Sequence, residues 1–95
     1  MSRTLGAVKR PADLDWSTMP DPSSPVWGEQ LREWRLKVGI SILQLHKAAS
    51  VGRDVVDVAE RGGPVSERTR SMFRALRAGG EEAAQAAKIQ MALRK

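Results

Sequence analysis

From Trp27 onward the apolar residues recur every three or four positions, the spacing of one face of an α-helix. The segment "VWGEQLREWRLKVG" aligns Trp27, Leu31, Trp34 and Val38, which predicts a first helix from about Gly28 to Lys37 that ends at Gly39. Ser41 opens a second, "SILQLHKAAS", with Gln44 three places on, the pairing that closes a capping box; it ends near Ala49. A third helix runs from about Arg53 to Arg61 and stops at Gly62, Gly63 and Pro64. In "SERTRSMFRALRAGG" a fourth follows, capped by Ser66, with Val65, Thr69, Met72, Phe73 and Leu76 along one face and a stop at Gly79 and Gly80. The alanine-rich tail "EEAAQAAKIQMALRK" predicts a fifth, with Glu81 and Glu82 at its start and Arg94 and Lys95 at its end, the charge order a helix dipole favours.

The chain before Trp27 has no such period. Its text "KRPADLDWSTMPDPSSP" holds four prolines and three aspartates, a mixture that neither sustains a helix nor buries much surface. Residues 1–25 are therefore expected to form a flexible arm, residues 26–78 a helical domain and residues 79–95 a C-terminal helix. Trp16 stands out in the arm, and an aromatic of its size is expected to dock on its own domain or on a partner, the first being favoured. With no tyrosine, one phenylalanine and no alternating strand pattern, the fold class is all-α.

Composition narrows the chemistry. The chain has no cysteine and one histidine, and its carboxylates are scattered. No nucleophile–base pair and no metal shell can be assembled from these, so no enzyme, metal or cofactor is expected. No segment approaches the ~18 consecutive apolar residues of a membrane span, and no apolar secretory run is present, so a soluble cytoplasmic protein is expected. The net charge of +5 is unevenly placed. Residues 1–25 are neutral, residues 26–63 carry six basic and five acidic groups, and residues 64–95 carry seven and three. An anionic partner would be met by the C-terminal third.

At 100° per residue the third helix divides into a side bearing Val55, Val56 and Ala59 and a polar side bearing Arg53, Asp54, Asp57 and Arg61, with Val58 at the edge. Two short helices joined across Ser50 to Gly52, the second presenting a polar face, fit the geometry of a helix-turn-helix.

From about Trp27 to Leu76 the chain resembles the Cro and lambda-repressor-like (Xre-type) helix-turn-helix domains. An ungapped run carries the resemblance: "GIS" at Gly39 to Ser41, then Leu45, Ala49, Val51, Arg53, Val56, Ala59 and "ERG" at Glu60 to Gly62. Three positions depart from the family's pattern. His46 replaces a small alanine, Ser50 a turn glycine, and Ile42 a phosphate-contacting glutamine. The resemblance implies a structural ion pair between Arg35 and Glu60. It also implies that Arg53, Asp54, Val55, Asp57 and Val58 reach base edges in the major groove, Arg53 foremost because its fork matches guanine.

The polar face of the third helix sums to zero charge, so phosphate attraction has to come from elsewhere. Arg68, Arg70, Arg74 and Arg77 on the fourth helix supply candidates, joined by Arg61 and by Ser41, Gln44 and Lys47 of the second helix. Members of this family work as two-fold dimers on paired half-sites. Ala83, Ala86, Ile89, Gln90 and Leu93 on the last helix are the candidate dimerisation residues, although that helix can also fold back on its own domain. The resulting expectation is a DNA-binding transcriptional regulator, a repressor acting as a homodimer on a palindromic operator. The competing expectation is a helix-turn-helix scaffold that binds protein, as an antitoxin or anti-activator does. Asp54, Asp57 and the altered turn favour the second, and the arginines and basic excess the first.

Overall fold

The computed structural model describes residues 14–93, whose regular elements are all helices, with no strand among them. A short 3-10 turn at Trp16–Thr18 precedes α1 (Trp27–Val38), α2 (Ile42–Ala49), α3 (Arg53–Glu60) and α4 (Glu67–Leu93). The boundaries have local causes. Gly39 takes φ 82°, the left-handed conformation that closes α1 by donating to the Arg35 carbonyl. At the start of α2 the Ser41 hydroxyl accepts from the Gln44 N–H at 3.1 Å while the Gln44 side chain accepts from the Ser41 N–H at 2.8 Å. Ser66 does the first of these jobs for α4, accepting from the Thr69 N–H at 3.1 Å.

Five helices were expected, and among the described residues four are found. The glycines that should separate the fourth from the fifth instead place a kink inside α4, where Gly80 alone departs from helical geometry with φ 80° and ψ −166°. Glycine permits that excursion without a Cβ penalty, and the helix resumes immediately. Beyond the kink Ala84 is fully buried, with Ala87 and Met91 packed on the same core. Arg94 and Lys95, whose charges were expected to complete that helix, lie outside the described residues.

The arm expected over residues 1–25 is, from Leu14 onward, part of the core. The residues before Leu14 lie outside the described set. Leu14, Trp16, Met19 and Pro22 are all buried. Asp15 caps the 3-10 turn by accepting from the Ser17 N–H and hydroxyl, bonds that hold its carboxyl below the usual carboxylate range. The Trp34 indole N–H donates to the Thr18 hydroxyl at 2.9 Å, and Trp16 tilts against Trp34 with ring centroids 5.8 Å apart. Trp16 thus docks on its own domain. Proline and aspartate suppress regular structure, but they do not prevent an irregular segment from burying the apolar residues it carries.

The core runs through α1, α2, α3 and both halves of α4. Trp27 meets Phe73 edge-on at 4.8 Å, with Leu31, Leu45, Val56 and Leu76 fully buried around them. Helices α1 and α3 cross at their closest where Gly28 faces the Ala59 carbonyl; a Cβ at Gly28 would lie 1.9 Å from that oxygen. That crossing brings α3 onto the body of the protein.

Candidate functional site

Helix α3 is seated by one side only. Val56 and Ala59 are fully buried and Glu60 nearly so, while Arg53, Asp54, Val55 and Val58 are exposed and Asp57 is half-buried. Val55, placed by periodicity on the packed side, is instead 38% exposed, and Val58 is 40% exposed beside it. An eight-residue helix needs few anchors, and the docking of α3 through Val56, Ala59 and Glu60 turns Val55 outward. Between the valines and the α3–α4 connection lies a shallow cleft of about 270 Å³ lined by Asp54, Pro64, Val65, Ser66 and Thr69.

Glu60 holds α3 to α1. Its carboxylate accepts two hydrogen bonds from Arg35, from Nε at 2.7 Å and from Nη2 at 3.0 Å, and Arg35 Nη1 donates to the Ile40 carbonyl. The side chains are only 11% and 4% exposed. A bidentate pair so enclosed fixes the orientation of α3 more than it adds stability.

The turn before α3 is closed by backbone. Ser50 occupies the left-handed region at φ 57° and ψ 40°, and the Val51 N–H donates to the His46 carbonyl while the Ser50 N–H donates to the Lys47 carbonyl. This is a Schellman closure built with serine at the position glycine usually fills. His46 is half-buried, its Nδ1 lying 3.1 Å from the Val51 carbonyl. A carbonyl only accepts, so Nδ1 carries the proton.

The candidate phosphate-binding side chains separate into two sets. Lys47 and Arg68 are exposed and meet no carboxylate among the described residues, and Arg53 shares that property. Ser41 and Gln44 are committed to the capping box, which leaves the Gln44 amide NH₂ and the Ser41 hydroxyl proton for other partners. The remaining arginines are engaged. Arg61 pairs with Asp57 at 3.2 Å on the surface of α3. Arg70 donates to the carbonyls of Pro22 and Ser24, with its guanidinium carbon 5.9 Å from the centre of the Trp27 ring. Arg77 donates to the Met19 carbonyl at 2.7 Å. Arg74 pairs with Glu67 at 2.6 Å and reaches the Ser23 hydroxyl, and its hydrogen bond and charge lower the Glu67 carboxyl below its ordinary value. Arg70 and Arg77 thus satisfy the carbonyls of Met19, Pro22 and Ser24, and Arg74 reaches the Ser23 side chain. Periodicity could locate the row but not its acceptors among residues 19–24, which lie 46 to 58 positions away.

On the last part of α4, Ala84, Ala87 and Met91 face the core, whereas Ile89 is 54% and Leu93 78% exposed, with Ala86 and Gln90 also exposed and Ala83 half-buried. The helix folds back on its domain and still presents an apolar stripe. Among the described residues no helix is long and apolar enough to cross a membrane, and no three His, Cys, Asp or Glu side chains are grouped to hold a metal ion. A scan against protein-family models and searches of curated proteins and of solved structures return no match to this chain.

Proposed function

We propose that the chain is a small helix-turn-helix regulator that binds duplex DNA, with α2 and α3 as the two helices of the motif and α3 entering the major groove. One observation carries this reading. The polar side of α3 faces solvent, with Arg53 exposed and without an ion pair among the described residues, while the opposite side is anchored by Val56, Ala59 and the Arg35–Glu60 pair. A rigidly seated helix with a free arginine at its first turn is able to place that guanidinium against a guanine edge. Val55 and Val58 are positioned for thymine methyl groups, and Asp54 or Asp57 for a cytosine amino group.

Backbone grip falls to Lys47, Arg68, Ser41 and Gln44. Arg70, Arg74 and Arg77 act instead through residues 19–24 and bear on DNA only by their field. Two or three strong phosphate contacts per copy are few, which favours a homodimer on a palindromic site, assembled through Ala86, Ile89 and Leu93. A compact protein seated on a promoter represses by occlusion.

The test is fluorescence anisotropy with the DNA upstream of the protein's own coding sequence, at two salt concentrations. Arg53→Ala should relax base preference at one position at a cost of about 1–3 kcal/mol, and Arg68→Ala should weaken all sequences alike and lower the salt slope by roughly 0.9 per copy. Absence of salt-dependent binding would overturn the reading. The second reading, a protein-binding antitoxin or anti-activator, is favoured by the exposed valines bordering the cleft at Pro64 and Val65 and would then take its place.

A further inference from the structure

A second and larger cleft, of about 700 Å³, opens between the α2–α3 turn and α4. Its walls come from five parts of the chain: His46 and Lys47 at the end of α2, Ser50 to Gly52 in the turn, Val55 of α3, Ser66 with Arg68, Thr69 and Met72 at the start of α4, and Lys88 beyond the Gly80 kink. Three cationic side chains from separate segments line it, and among the described residues no carboxylate does. None of Lys47, Arg68 and Lys88 forms a salt bridge among the described residues, whereas Arg35, Arg61 and Arg74 each meet a carboxylate and Arg70 and Arg77 meet backbone carbonyls. The Ser50 hydroxyl makes no hydrogen bond among the described residues. Val51, Val55 and Met72 supply an apolar wall. Like charges gathered around one opening repel one another unless an anion sits between them, and a volume of this size suits a small organic molecule.

We infer that this cleft binds a small phosphate monoester with an apolar body, its phosphate met by Lys47, Arg68 and Lys88 and its body laid against Val51 and Val55. A phosphate monoester carries about −1.5 to −2 charges at neutral pH, which answers three cations lining one cleft better than a monoanion does. One consequence rests on the DNA-binding reading. Lys47 and Arg68 also serve the duplex, so the ligand and DNA compete for them and the small molecule releases the regulator. Lys88 belongs to the cleft alone.

Phenyl phosphate is the probe. Titrated into ¹⁵N-labelled full-length protein without DNA, it should shift amides of His46 to Gly52 and Ser66 to Thr69. Inorganic phosphate should bind more weakly, and phenol should produce no such shifts. Lys88→Gln should weaken phenyl phosphate about tenfold, with no change in melting temperature because the side chain is exposed. Equal affinity in Lys88→Gln and the parent protein, equal affinity for phenyl and inorganic phosphate, or shifts spread beyond the cleft would each overturn the inference. A separate anisotropy titration reads the competition. Phenyl phosphate should lower duplex affinity in the parent protein and about tenfold less effectively in Lys88→Gln, which binds duplex normally without it. Ligand binding that leaves duplex affinity unchanged would remove the competition and keep the site. Failure to bind duplex at all would remove the DNA reading alone.

Discussion

Replacing Gly28 with alanine tests whether the seating of α3 depends on backbone contact. In an isolated helix the change would be favourable by at most about 1 kcal/mol. Here the added Cβ would stand 1.9 Å from the Ala59 carbonyl oxygen and 2.9 Å from its carbon. Both are backbone atoms, so no rotamer change relieves the overlap, and α1 and α3 must part by at least about 1.1 Å to reach the 3.0 Å below which real contacts essentially never fall. That displacement also stretches the Arg35–Glu60 hydrogen bonds, now 2.7 and 3.0 Å, towards the limit of useful geometry. Overpacking of this kind costs about 1–3 kcal/mol, and partial loss of an enclosed ion pair adds about 1–2 kcal/mol. Against the propensity gain, the net loss is about 2.5 kcal/mol, which lowers the melting temperature of a domain this small by roughly 10 to 20 °C. Thermal and urea denaturation followed by circular dichroism measure it. A Gly28→Ala protein that melts with the parent, or above it, would show that the α1–α3 crossing is not as close as described.

The Arg35–Glu60 pair and the turn at Ser50 yield two further predictions. Glu60→Ala leaves the Arg35 charge enclosed and should cost about 3–5 kcal/mol in urea denaturation, whereas Arg35→Met with Glu60→Leu should recover most of that loss; a double variant no more stable than the single would contradict the desolvation argument. At Ser50, glycine relieves left-handed strain of roughly 1 kcal/mol but loosens the unfolded chain, so Ser50→Gly should gain about 0.5 kcal/mol. Ser50→Val should lose about 1–2 kcal/mol, since a β-branched side chain tolerates φ 57° poorly, and equal urea midpoints for serine and valine would refute that geometry.

The helices from Trp27 to Glu60 were legible in the sequence because their causes are local. A period of three to four, a glycine after Val38 and a serine three places before Gln44 act within a turn or two of chain, and the observed bounds differ from the expected ones by a residue or so. The partnership of Arg35 with Glu60 was legible only through resemblance, since no local rule joins positions 25 apart. Val55 was misplaced because a short helix shows which residues share a side but not which of them the body will cover.

Legible from the order of residues alone were the all-helical class, the succession of α1 to α3, the caps at Gly39, Ser41 and Ser66, and the polar side of α3. Packing of the helices was needed to reveal that Leu14, Trp16, Met19 and Pro22 join the core, that Arg70 and Arg77 are spent on the carbonyls of Pro22 and Met19, that α4 bends at Gly80 rather than ending, and that Lys47, Arg68 and Lys88 line one cleft. The division follows from distance along the chain. Hydrogen bonding and side-chain period are settled among neighbours, whereas burial of an irregular segment and the partner of a long cationic side chain depend on contacts between residues tens of positions apart, which exist only once the helices have packed.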